Sequence, residues 1–139
     1  MAVHLATTDT EIAACFEVMR HLRDLTNASA FVDRVRYQQQ TGYQLAYLTE
    51  SDRPLAVAGF RIGENFAWGR FLYVDDLVTL PEVRSRGYGS TLLAWLTDYA
   101  RSKHCTQLHL DSGTQRLAAH QFYRRESLDV SSLHFKRSL

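Results

Sequence analysis

A strand, a glycine loop and a helix start follow one another between Phe71 and Ala100, and this stretch constrains the fold more than any other. Phe71 to Val78 alternates bulky with small or polar residues, is rich in β-formers, and stops at Pro81, which cannot donate to a sheet ladder. Leu92, Leu93, Leu96, Tyr99 and Ala100 then recur at helical spacing, with Trp95 beside them. Between the two lies Arg84-Ser85-Arg86-Gly87-Tyr88-Gly89-Ser90-Thr91. Gly87 and Gly89 allow a tight turn, so consecutive N–H groups can point at one spot beside the positive end of the helix dipole, as a pyrophosphate requires. Arg84 and Arg86 add positive charge, and the hydroxyls of Ser90 and Thr91 add donors. A Walker loop is absent, and Gly-x-Gly-x-x-Gly is incomplete because Leu92 stands where its third glycine belongs. On spacing alone, the loop reads equally well as a connector.

The rest of the chain predicts alternating elements. Val3 to Ala6 is a short strand, and Thr8-Asp9-Thr10-Glu11 has the form of a capping box opening a helix to Leu22, with Ile12, Cys15, Phe16 and Met19 as its apolar stripe. Asn27 or Ser29 caps a second helix that runs to Gln40 and stops at Gly42. Tyr43 to Glu50 and Leu55 to Glu64 are antiparallel strands around the turn Ser51-Asp52-Arg53-Pro54, and Trp68-Gly69 closes a hairpin into the Phe71 strand. After the central helix come a strand at Gln107 to Leu110, a helix at Arg116 to Arg125, and closing strands at Leu128 to Val130 and Leu133 to Lys136. The sum is an α/β (α+β) chain with a mixed, mostly antiparallel sheet of about six or seven strands flanked by about four helices.

A chain of 139 residues is one domain, 1–139, by the usual prior. Net charge is +1, which gives no broad attraction to nucleic acid or membrane. No apolar run approaches a membrane span and no signal-peptide pattern opens the chain, so a cytoplasmic protein is expected. Cys15 and Cys105 are isolated, and the six histidines lack ligand spacing, so no metal is expected.

Arg84-Ser85-Arg86-Gly87-Tyr88-Gly89 resembles the Arg/Gln-x-x-Gly-x-Gly/Ala loop of the GCN5-related N-acetyltransferases, and Ala119-His120-Gln121-Phe122-Tyr123 is similar to that family's Ala-x-x-Phe-Tyr helix. The resemblance covers most of the chain. It implies a GNAT-like fold, acetyl-coenzyme A as co-substrate, its pyrophosphate on Arg84 to Thr91, and its pantetheine arm along Leu77, Val78 and Thr79. It further implies a primary amine as acceptor, a small molecule ahead of a protein, attacking directly in a ternary complex. The two N-terminal helices would flank the acceptor. Many members pair as dimers, so a homodimer stays open. Arg116 stands where the family commonly has an asparagine, and Ser127-Leu128 where it has Gly-Phe or Gly-Tyr, so a non-glycine residue must make that turn.

Acetyl transfer sets chemical demands that point to particular residues. An alkyl amine is only about one part in a thousand neutral at pH 7, so a base must take its proton. Asp75 and Asp76 stand just upstream of the loop, where the family often has an acidic residue. On a regular strand they face opposite ways, so at most one meets the acceptor; the plain alternative is a solvated or salt-bridged pair. A backbone N–H of Leu77 or Val78 would serve the carbonyl oxygen as charge develops. Tyr123, whose hydroxyl has a pKa slightly above a thiol's, fits the acid for the departing thiolate; otherwise it is a core aromatic beside Phe122. Within the family, the aminoalkylphosphonate N-acetyltransferases are the nearest resemblance, through Ala119 to Tyr123 and Leu133-His134-Phe135. An acidic group on the acceptor would want Arg20, Arg23, Arg34 or Arg36, while His120 and His134 are substrate contacts or structural hydrogen-bonding groups. A cysteine acyl-enzyme is the mechanistic alternative, with Cys105 poorly placed for it. The functional alternative is a non-catalytic acyl-CoA-binding or regulatory protein-interacting module.

Overall fold

In the computed structural model, which describes residues 1–139, the run Pro54 to Phe60 is buried at every position, as the central strand of a sheet covered on both faces must be. This strand is β3 (Pro54–Asn65). It lies third in a five-stranded sheet, between β2 (Gln44–Thr49) and β4 (Gly69–Thr79), with β1 (Ala2–Leu5) and β5 (Gln107–Leu110) at the edges. The first three pairings are antiparallel. Helices α1 (Asp9–Met19) and α3 (Tyr88–Ser102) both pack on β3 and β4, and α2 (Ala28–Gln39) packs on α1. Phe60 meets Trp95 and Tyr99 of α3, so α3 covers the face to which Phe60 points. The chain divides into two compact units, Met1–His109 and Leu110–Leu139; the second contains α4 (Leu117–Arg125).

The helix starts follow local chemistry. Thr8 accepts from the Glu11 N–H at 3.1 Å, and the Glu11 carboxylate accepts from the Thr8 N–H at 3.0 Å. Its other oxygen accepts from the Tyr47 hydroxyl of β2 at 2.8 Å, which fastens the start of α1 to the sheet. Asn27, not Ser29, caps α2 through the Ala30 N–H at 2.8 Å.

Three helices end in one motif, in which a residue in the left-handed region lets its own N–H and the next return to carbonyls of the last turn. After α2 that residue is Gly42 (φ +101°), after α3 it is His104 (φ +65°), and after α4 it is Ser127 (φ +67°). At Ser127 the paired bonds are Ser127 N–H to Arg124 O (3.1 Å) and Leu128 N–H to Tyr123 O (3.0 Å).

The sheet has five strands, not six or seven. Leu128 to Val130 and Leu133 to Lys136 form no strand. Val130, Leu133 and Phe135 are exposed, so their alternation buries no face and nothing pairs with their backbone. The first helix also stops earlier than its apolar stripe suggests, at Met19, with Leu22 in the turn that follows.

Candidate active site

β3 and β4 slip by one residue at the centre of the sheet. Phe60 pairs with Val74 and Gly59 with Asp76, so Asp75 is an extra residue, a β-bulge. The expectation that Asp75 and Asp76 face opposite ways fails for this reason. A regular strand alternates, whereas the bulge sets two residues opposite one, and both aspartates line the same cleft.

That cleft has a volume of about 490 Å³ and lies among α1, α2, β4 and Tyr43, with Met19, Phe31 and Val35 as its apolar side and Arg34 and Gln38 as polar members from α2. Asp76 accepts from the Tyr43 hydroxyl at 2.9 Å and from Arg23 Nε at 2.8 Å. Arg23 Nη2 also donates to the Asp75 backbone carbonyl at 2.8 Å. Arg61 Nε donates to Asp75 Oδ2 at 2.8 Å, while Arg61 Nη2 reaches Gln38 and the guanidinium lies over the Tyr43 ring. Burial raises the Asp75 pKa above the ordinary carboxylate value; Arg61 opposes the rise and the neighbouring Asp76 adds to it. Burial first, and then Asp76, push the Tyr43 pKa up, so Tyr43 stays a neutral donor. A half-buried carboxylate with a raised pKa in an open cleft is suited to take a proton from an ammonium.

Asp76 leads through Leu77, Val78 and Thr79 to the glycine loop. Thr106 N–H bonds to Arg70 O at 2.8 Å, and β5 is four residues long, so its ladder on β4 ends short of Leu77. The outer backbone edge of Leu77, Val78 and Thr79 lies beyond it. A 3-10 turn at Pro81–Val83 follows, then Arg84, Ser85 (φ +64°), Arg86 and Gly87 (φ +84°). No side chain caps α3, and its first helical bond is Thr91 N–H to Gly87 O at 3.0 Å, so the preceding N–H groups open from the helix start. This is a cradle for an anion, with exposed Arg84 and Arg86 at its mouth and Gly89, Ser90 and Thr91 in its first turn. Tyr88 is different in kind: its side chain is buried, donates to Glu50 Oε2 at 2.6 Å and has the Arg86 guanidinium beside it.

In the second unit, Tyr123 is half-buried on α4, and burial raises its pKa against the Arg116 guanidinium, which lowers it. His120 Nε2 lies 2.7 Å from Gly113 O, a structural bond, and His134 Nδ1 lies 3.5 Å from Asp111. Of the four arginines read as acceptor contacts, Arg23 and Arg34 line the cleft. Arg36 instead holds Asp9 and the Thr7 carbonyl, and Arg20 pairs with Glu17. Tyr43, Gly59 and Arg61 escaped the sequence analysis. Gly59 faces the site, where a Cβ would overlap the Tyr43 hydroxyl and Asp76. No three His, Cys, Asp or Glu side chains are grouped to hold a metal ion, and no helix is long and apolar enough to cross a membrane.

The fold is that of the GCN5-related N-acetyltransferases: a GNAT family acetyltransferase of Staphylococcus aureus superposes with a TM-score of 0.83 over 99% of this chain and 98% of that one, at 18% identity. Residues 8–127 match the acetyltransferase (GNAT) family, and the chain belongs to it. It is an enzyme that transfers the acetyl group of acetyl-coenzyme A to an amine. Among relatives, an uncharacterized N-acetyltransferase of Bacillus subtilis, YhdJ, is 33% identical over 84% of this chain and 83% of that protein. The aminoalkylphosphonate N-acetyltransferase of Salmonella typhimurium is 36% identical over 48% of this chain and 43% of that protein.

Proposed function

We propose that the acceptor is a small molecule bearing a primary amine and an acidic group, and that the chain acts as a single acetyltransferase domain. One observation carries this: the cleft offers two carboxylates to an ammonium and, from α2, the guanidinium of Arg34, which has no hydrogen bond or ion pair. A volume of about 490 Å³ is that of a small-molecule site. The likeness to the Salmonella aminoalkylphosphonate enzyme supports the same chemistry. Both cysteines are free, which suits a reducing compartment such as the cytoplasm.

In this reading Asp75, with Asp76 beside it, takes a proton from the ammonium. The neutral amine then forms a C–N bond with the acetyl carbon as the C–S bond breaks and its electron pair stays on sulfur. The backbone N–H of Leu77 or Val78 faces the acetyl oxygen, and Thr79 lines the pantetheine arm. Arg84, Ser85, Arg86, Gly87, Tyr88, Gly89, Ser90 and Thr91 hold the pyrophosphate. Tyr123 enters through its motif and gives the thiolate its proton, and the second proton that the nitrogen loses on becoming an amide returns to the tyrosinate.

Thermal unfolding with acetyl-coenzyme A, coenzyme A and desulfo-coenzyme A tests the cofactor half. Each should stabilise by about 2.7 kcal/mol at a hundredfold over its Kd, and the absence of any shift would overturn the reading. Thiol release with 2-aminoethylphosphonate tests the rest. Tyr123→Phe should lower kcat by roughly a hundredfold to ten-thousandfold and keep the acetyl-coenzyme A shift, whereas an unchanged kcat removes Tyr123 from the chemistry.

A further inference from the structure

We propose that the guanidinium of Arg23 occupies the acceptor's ammonium position in the resting protein, so that the acceptor binds by displacing it. This rests on the acetyltransferase reading of the cleft. Arg23 reaches two acceptors at once, the Asp76 carboxylate and the carbonyl of the bulged Asp75, each at 2.8 Å. Two acceptors converging on one cation inside a cleft are what an ammonium, with its three donors, also satisfies.

The two arginines of the site are held differently. Arg61 is fixed on three sides by Asp75, Gln38 and the Tyr43 ring. Arg23 has only the Asp75–Asp76 pair, and its side chain is 51% exposed against 13% for that of Asp76. Its backbone is anchored in the turn after α1 by Arg23 N–H to Met19 O at 3.0 Å, so the side chain can swing out without moving the helix. Half of the Arg23 side chain is in water, so releasing it costs less than breaking a fully buried pair, and the incoming cation takes over the charge of Asp76. Arg61 engages only Oδ2 of Asp75 and leaves Oδ1 without a hydrogen bond. The ammonium position therefore lies on the backbone carbonyl of the residue whose carboxylate takes the proton.

The consequence has an unusual sign, since removing a charged residue from the site should tighten binding of the amine. Full-length Arg23→Ala is compared with wild type by NMR titration of the Gly59 and Asp76 amides with butylammonium and with methylguanidinium. Both probes are expected to bind the variant about two- to fivefold tighter, and KM for 2-aminoethylphosphonate should fall by the same factor. Arg23→Gln, which keeps a neutral donor for Asp76, should behave alike and stands in if the alanine variant does not fold. Unchanged or weaker probe binding in the folded variant would overturn the proposal and make Arg23 a plain structural or substrate-holding residue. The titration uses neither acetyl-coenzyme A nor turnover, so its failure is separate from failure of the acetyltransferase reading, which the acetyl-coenzyme A shift reports.

Discussion

Gly59 has no side chain because two other residues use its space. A Cβ there would overlap the Tyr43 hydroxyl and come within 2.5 Å of Asp76 Oδ2, so the smallest substitution forces apart the pair that orients the carboxylate. Gly59→Ala is expected to destabilise by about 1–3 kcal/mol through overpacking, seen as a lower Tm, and to weaken amine binding along with it. Gly59 holds no positive φ, so its cost is steric, whereas Gly42→Ala, at φ +101° with nothing near its Cβ, shows backbone strain alone. The aspartates were legible because they adjoin the glycine loop in sequence. Tyr43 and Arg61 were not, since they meet Asp76 and Asp75 from 33 and 14 residues away, through a register that no local pattern displays. The same register hid the bulge, and so the fact that both carboxylates share one face.

Elements are best read from their ends. The capping box at Thr8 and the stop at Gly42 lie within a few residues of the bonds they make, and the structure has both. The closing strands were misread because alternation at Leu128, Val130, Leu133 and Phe135 imitates a strand, yet a strand also needs a partner ladder, which sequence periodicity does not encode. The shared helix stop has a thermodynamic consequence, because His104 and Ser127 hold a conformation that costs an L-residue about 1–2 kcal/mol and glycine nothing. His104→Gly should stabilise by about 1 kcal/mol once the added chain entropy of glycine is deducted, measured by denaturant midpoint at constant m. A drop in stability would mean that the imidazole makes a contact worth more than the strain.

At the scale of the molecule, α1 is tied to the sheet by a charge that titrates. Glu11 is held at about 2, mainly by the Thr8 backbone N–H and then by the Tyr47 hydroxyl, against an ordinary value of 4.5. A depressed acid stabilises the folded state above its unfolded pKa and loses that contribution as pH falls through the folded value. Tm should therefore decline from about pH 4.5 towards pH 2, and Glu11→Gln should flatten that limb while lowering Tm at pH 7. An unaltered acid limb in the variant would assign the decline to other carboxylates. The strand, loop and helix that identify the family were readable because they are contiguous, whereas the cleft draws on α1, α2, β4 and Tyr43 and became visible only in three dimensions.

The bulge also fixes a phase. Before it, Leu72 and Val74 point with Phe60 towards α3, while Tyr73 points to the cleft; after it the parity is reversed, and Val78 shares the face of Asp76. Losing Asp75 would merge the two halves into one regular ladder and leave every other side chain on its own face. Losing Asp76 in place of Asp75 would do the same, whereas losing another residue between Leu72 and Val78 would put the side chains between it and the bulge on the wrong face. Length variation in β4 is thus best absorbed at Asp75–Asp76, where the loss of either leaves the rest of the strand in phase and removes one of the two carboxylates of the cleft.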